Sequence, residues 1–170
     1  VLISSRGNGV PLFPTFKGFD YVISMVQFSD NSYLLLDATE LYSLPNVLPV
    51  RALNWNGRLV TKNGASSWIK LTSSKYASEE NMVMVKITDD LMAEGFIRTK
   101  YNNLNALKFR KNYNHIKEEE LITRYEENNN LEIEDFKIVN KEKISRPITR
   151  NVKFSSEDLL EQIGNKLYLE

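Results

Sequence analysis

The chain has 170 residues, 42% of them apolar and 26% charged, an ordinary globular composition with room for one domain or two small ones. Its 22 basic residues balance its 22 acidic ones, which leaves no electrostatic footprint for nucleic acid or for an anionic membrane. It contains no cysteine, so disulfides, thiolate metal sites and a cysteine nucleophile are all absent from the chain itself, and no apolar run approaches the ~20 residues of a membrane span.

Val1 to Ser5 reads as a short buried strand, broken by Gly7-Asn8-Gly9 and Pro11 and followed by a loop through Pro14 to Gly18. The opening on Val1-Leu2-Ile3, without a signal peptide or an initiator Met, and the closing Leu169-Glu170 both suggest an excised fragment of a longer protein. Phe19 to Phe28 and Tyr33 to Asp37 read as two strands around an Asp30-Asn31-Ser32 turn. Period-2 alternation turns Tyr21, Ile23, Met25 and Gln27 one way and Asp20, Val22, Ser24, Val26 and Phe28 the other. Leu34-Leu35-Leu36 is apolar on both faces, as in a strand covered on both sides. The prolines of Leu44 to Pro49 predict an ordered, non-helical crossing. Two further strands, Arg58 to Lys62 and Ser67 to Leu71, flank an Asn63-Gly64 hairpin turn.

The polar stretch Ser73 to Asn81 lacks apolar periodicity and marks a boundary between two units, 1–76 and 82–170. Met82 to Ile87 and Met92 to Tyr101 read as strands around Asp89-Asp90. The period then changes. Leu104, Leu107 and Lys111, with Ala106, Phe109 and Tyr113, suit an amphipathic helix capped by Asn102 or Asn103. Lys117 to Glu127 suits a second, with Glu118, Glu119 and Glu120 favouring the dipole of its first turn and Asn128-Asn129-Asn130 stopping it. Three strands close the chain, at Leu131 to Asn140, Ile148 to Ser155 and Leu160 to Leu169, with a phase slip at Asp135. The class expected is α+β and β-rich, its second unit ordered β-β-α-α-β-β-β.

Candidate sites are few. Asp37 leaves a strand, where an aspartate also serves as a turn cap for Ala38-Thr39-Glu40. His115, the only histidine, stands between the two helices as a capping or surface residue, and one histidine without cysteine does not make up the ligand set of a zinc site. Asp89-Asp90 with Glu94, and the Glu118 to Glu120 run, lack the spaced oxygen ligands of a calcium loop. No metal and no cofactor is expected. Trp55 and Trp68 are explained most simply by core packing; displayed on a sheet instead, with Arg51 nearby, they would make a carbohydrate- or peptide-binding platform. Arg51 and Arg58 are candidates to pair with Asp37 or Asp20.

Phe19-Asp20-Tyr21-Val22-Ile23, Leu35-Leu36-Asp37-Ala38-Thr39, Leu48-Pro49-Val50-Arg51-Ala52-Leu53-Asn54 and Gly57-Arg58, taken in that order, resemble the bacterial transglutaminase-like superfamily. The particular likeness is to the Bacteroidetes-type proteins that carry a domain of unknown function on each side of the transglutaminase-like core. Ile163-Gly164-Asn165-Lys166-Leu167-Tyr168 resembles the end of their C-terminal domain, and Val1 to Arg6 the strand before the histidine strand, so the likeness covers essentially the whole chain. It implies an antiparallel sheet remnant of a papain/transglutaminase-like core in residues 1–76 and the small C-terminal domain in 82–170. Members with an intact triad have histidine where this chain has Tyr21; Asp37 stands at the triad's aspartate, and no cysteine is present. A phenol of pKa near ~10 cannot cycle as a base near neutral pH without a large shift. The resemblance therefore implies a catalytically inert segment of a pseudoenzyme, periplasmic or envelope-associated, with a structural or binding role and a protein or peptide as its partner class. One enzyme alternative is that Cys and His come from outside this chain, making a cysteine peptidase or transglutaminase. Excision would expose sheet edges, so strand Val1 to Ser5 or the Tyr33 to Leu36 face is expected to be covered by a second copy, making a dimer, or by the second unit.

Overall fold

The computed structural model describes every residue except Pro14, Phe16, Ser74 and Glu170, and describes Leu169 by its backbone alone. The expectations for Pro14 and Glu170 therefore lie outside the described residues. The chain forms two compact units, Val1–Ala77 and Ser78–Glu170.

Among the described residues of unit 1 the strands are β1 (Leu2–Ile3), β2 (Tyr21–Val22), β3 (Ser24–Gln27), β4 (Tyr33–Leu36), β5 (Asn56–Val60) and β6 (Ser66–Lys70), with a 3-10 turn at Val50–Ala52. One antiparallel sheet has the order β2-β1-β5-β6, and β3-β4 is a separate hairpin. The long strand expected over Phe19 to Phe28 is thus shared between two sheets. The changeover falls at Ile23, whose N–H still donates to the Val1 carbonyl at 3.0 Å. The expected alternation survives it. Ile23 is buried with Ile3, Leu35, Leu48, Ala52 and Leu71, and Tyr21 and Met25 pack against that cluster, while Val22, Val26 and Phe28 face solvent. The crossing from Leu44 to Pro49 is ordered and non-helical, with Val47 and Leu48 both buried.

Two expectations about unit 1 are corrected. β1 is no edge, because β2 and β5 pair with its two sides. The outer side of β4 is occupied too, since the Leu35 N–H donates to Asn46 Oδ1 (2.8 Å) and the Leu35 carbonyl accepts from the Asn46 N–H (2.9 Å). β1 on both sides, and β4 at Leu35, are thus paired within unit 1.

Unit 2 contains β7 (Ser78–Ile87), β8 (Ala93–Asn102), α1 (Asn103–Tyr113), α2 (Glu118–Asn129), β9 (Glu132–Val139), β10 (Ile148–Ser156), β11 (Leu160–Ile163) and β12 (Lys166–Leu169). The expected third closing strand is a hairpin, β11-β12, turned at Gly164 with φ 63°. The other four strands form an antiparallel sheet of order β7-β8-β10-β9. β7 starts at Ser78, inside the stretch expected to be a linker, and Ser78-Glu79-Glu80-Asn81 completes its ten-residue ladder with β8. The phase slip appears as a bulge: Lys153 faces Asp135 but Phe154 faces Ile133, so Glu134 is left unpaired in the ladder. Gly95 is required by close packing, because a Cβ there would lie 2.4 Å from the Phe154 ring and 2.6 Å from the Met84 carbonyl oxygen. Ala106, Phe109 and Ile148 form one buried cluster, and Leu131, Val152 and Phe154 another.

Arg110 is the side chain that sequence reading passed over. It is only 1% exposed, and its guanidinium donates to four carbonyls of the β9–β10 connection: Lys141 (3.0 Å), Asn140 (3.0 Å), Lys143 (2.9 Å) and Arg146 (2.8 Å). A hint was available in its position three residues after Leu107, which turns a charge onto the helix's apolar face. Asn102 precedes α1 as expected but does not cap it; its side-chain amide donates to Ser78 Oγ (2.8 Å) and Glu80 (3.0 Å) across the sheet.

Candidate functional site

β3 pairs with β4 from Gln27 opposite Tyr33 to Ser24 opposite Leu36, and the residues just beyond that ladder, Ile23 and Tyr21 on one arm and Asp37 and Thr39 on the other, lie at its open end. Tyr21 packs against the core cluster that holds Ile23 and Leu35, Asp37 is buried, and Thr39 is exposed. The Tyr21 hydroxyl donates to Asp37 Oδ2 at 2.5 Å, and it lies 2.5 Å from Thr39 Oγ1. Asp37 Oδ1 accepts from the Thr39 N–H (2.9 Å) and from the Thr39 hydroxyl (2.8 Å). The two readings of Asp37 are thus divided between its oxygens, one capping the turn and the other engaging Tyr21. Two hydroxyl protons serve three oxygen–oxygen contacts, so they are shared within the cluster.

Arg51, held by the 3-10 turn, closes the cluster from outside. It donates to the Tyr21 hydroxyl (2.8 Å), to Thr39 Oγ1 (3.2 Å) and to Glu40 Oε2 (2.8 Å), and it approaches Asp37 Oδ2 at 3.7 Å. Its guanidinium also lies 5.0 Å from the centre of the Tyr21 ring. The Asp37 side chain is fully buried and that of Arg51 about one-third exposed, so the cation covers the carboxylate. Burial raises the Tyr21 phenol above its ordinary range, and its bond to Asp37 raises it further. Burial works to lower the Arg51 guanidinium, but its bonds to Glu40 and Tyr21 outweigh that and hold it higher. Tyr21 is a proton donor in this geometry, and a neutral one.

The remaining candidates separate. Arg58 pairs with neither Asp20 nor Asp37; it stacks on Trp68 at 4.9 Å across the β5-β6 ladder and bonds Ser66 Oγ at 2.8 Å. Asp20 instead accepts from the Ser5 N–H (2.7 Å) and from Asn8 Nδ2 (3.1 Å), bonds that lower its carboxyl pKa. His115 is exposed between the helices, and among the described residues no cluster of three metal-ligating side chains occurs.

The tryptophans do not pack in the core. Trp68 is 39% exposed under Arg58, and Trp55 is 80% exposed. Trp55 is further held at φ 61°, a left-handed conformation that costs a bulky aromatic residue roughly 1–3 kcal/mol. It stands at the rim of a cleft of about 680 Å³ whose polar lining includes Arg6, Asn8, Asn54, Thr72 and Ser73. Asn54 fixes one wall, donating through Nδ2 to the Ser4 carbonyl (2.8 Å) and the Asn8 carbonyl (3.0 Å). Hydropathy alone could not foresee this display, since it depends on Trp55 falling at the turn that enters β5 and not within the strand.

No protein-family model matches the chain, and no curated protein or solved structure matches it.

Proposed function

We propose that this chain is the non-catalytic C-terminal part of a transglutaminase-like envelope protein, a pseudoenzyme segment in which the Tyr21–Asp37 pair holds the fold together and runs no reaction. The observation that carries the reading is the hydroxyl of Tyr21 donating to a buried Asp37 beneath Arg51. A triad aspartate must present an oxygen to an imidazole N–H. Here Oδ1 is engaged by Thr39 and Oδ2 by Tyr21, which argues against the alternative of a histidine supplied from outside the chain. The periplasmic or envelope setting is the one that the resemblance implies.

Tyr21→His tests the proposal. The variant is expected to fold and to show no turnover of a glutamine-donor or peptide substrate, because no thiolate is present for a restored base to activate. Measurable ammonia release or peptide cleavage above the parent chain would overturn it.

A second reading, a carbohydrate- or peptide-binding module, is favoured by the strained and exposed Trp55 beside its cleft. Both tryptophans lie in unit 1, so a Trp68→Phe background isolates the Trp55 emission. Titration with a β-1,4-linked N-acetylglucosamine trisaccharide and with a short peptide pool is expected to shift that emission saturably for one of the two. Trp55→Ala, followed by titration calorimetry because it removes the reporting indole, should weaken the binding at least about tenfold, the usual loss of an exposed aromatic anchor. No saturable shift with either probe would remove this reading and leave the structural one.

A further inference from the structure

The two edges of the unit 2 sheet are unlike. β9 carries Glu132, Glu134, Asp135 and Lys137 and a bulge at Glu134, the usual means by which an edge is kept from pairing. β7 has none of these over Asn81 to Val85, which holds no charge, no proline and no bulge. Met82, Val83, Met84 and Val85 are 42%, 57%, 58% and 39% exposed, so both faces of this edge are open. That is the pattern of a strand left ready to pair.

We infer that β7 is the interface at which two copies of this chain join, antiparallel and two-fold about Val83, to continue the sheet. The backbone selects which residues can bond. The Thr88 N–H donates to the Met92 carbonyl (2.9 Å), so Thr88 and Met92 form a hydrogen-bonded pair. Strict alternation then directs the main-chain groups of even-numbered β7 residues to β8 and those of Glu79, Asn81, Val83, Val85 and Ile87 outward. Outward groups of two copies can meet with the axis at residue 82, 83 or 84.

Charge selects among the three. With the axis at Val83, Glu80 of one copy faces Lys86 of the other, twice, in the closer non-hydrogen-bonded positions. Within one copy Glu80 pairs with Lys100 at 3.5 Å, and Lys86 is opposite Glu94 without an ion pair among the described residues. Joined about Val83, one face of the combined sheet reads Lys100, Glu80, Lys86, Glu94, alternating in sign across four strands. Met82 meets Met84 between the charged ends. An axis at Met82 or Met84 sets Glu80 opposite Met84 or Thr88, and Lys86 opposite Ser78 or Met82, and forfeits both pairs.

The absence of cysteine makes the test clean. Sedimentation velocity of the full chain, from low micromolar to a few hundred micromolar, is expected to show a dimer that grows with concentration. Val83→Pro removes an outward N–H at a place where an edge strand tolerates proline, and should be monomeric throughout with unchanged helical circular dichroism. Glu80→Lys should weaken the dimer about tenfold, and Glu80→Lys with Lys86→Glu should restore it. Under mild oxidation Val83→Cys should cross-link, its two Cα atoms being about 5.5 Å apart in a hydrogen-bonded pair. Asn81→Cys should not, because the two copies of that residue sit about 13 Å apart along the strands. A wild-type chain that is monomeric throughout overturns the proposal. So does a dimer indifferent to Val83→Pro, or equal cross-linking at positions 81 and 83.

Discussion

Replacing Arg110 with alanine unfolds unit 2 at temperatures where unit 1 remains native. The guanidinium donates to four carbonyls of the β9–β10 connection and is buried to 1% exposure; the Asn140 and Lys143 carbonyls also accept the Lys143 and Arg146 N–H groups, and the Lys141 carbonyl the Asn114 amide. Alanine leaves those carbonyls without that donor and opens a cavity between α1 and the connection. Bonds from a charged donor contribute about 1.5–3 kcal/mol each at most and are not additive, so the expected loss is about 3–5 kcal/mol. A small domain has only about 5–15 kcal/mol in total, and each kcal/mol lowers its midpoint by about 4–8 °C. Arg110→Lys should recover little, because one ammonium cannot present the fork that reaches four acceptors. Both helices lie in unit 2 and both tryptophans in unit 1, so ellipticity at 222 nm and tryptophan emission report the two units separately. A fall in the first midpoint with the second unchanged is the expected result. Coincident, unshifted transitions would mean that the connection holds its shape without Arg110.

Asp37→Ala is expected to be the most damaging single change in unit 1, at about 2–4 kcal/mol. It strips an acceptor from the Tyr21 hydroxyl and from both the N–H and the hydroxyl of Thr39, and leaves Arg51 with Glu40 as its one carboxylate in the cluster. Tyr21→Phe removes one of those bonds and keeps the ring against the core, so about 1–2 kcal/mol is expected. Urea unfolding followed by tryptophan emission ranks the two. Equal losses for both variants would place the value of the cluster in the tyrosine bond alone and leave the turn-capping oxygen with nothing to contribute.

The parts of this fold legible in the sequence were those set by period and by turn chemistry. Asn31 and Gly64 take left-handed φ of 63° and 82° in the hairpins where turns were expected. The third such hairpin places Leu91 at φ 61°, and nothing about a leucine announces that; the turn was found from Asp89-Asp90 beside it. Asparagine's abundance has a use, since Asn31, Asn46, Asn103, Asn130 and Asn140 all adopt positive φ. The start of β7 was missed because Ser78-Glu79-Glu80-Asn81 has no apolar face, and an edge strand needs none when its ladder with β8 holds it. In the site, the Tyr21–Asp37 meeting follows from an antiparallel hairpin whose turn leaves both residues at its open end, which sequence can supply. The engagement of Thr39 and Glu40 does not, because it depends on how the chain turns after β4 and on which way Arg51 leaves a 3-10 turn.

The bond from Tyr21 to Asp37 spans 16 positions of chain, and what lies between them is the whole β3-β4 hairpin. In polymer terms it is a reversible cross-link that closes a ring. Its strength depends on how often the hairpin's two ends are already side by side, and closing a ring of this length from an open chain carries an entropic cost that the ladder has largely met beforehand. The clasp therefore does not nucleate the hairpin. It sets how long a formed hairpin stays shut, a matter of lifetime and not of assembly.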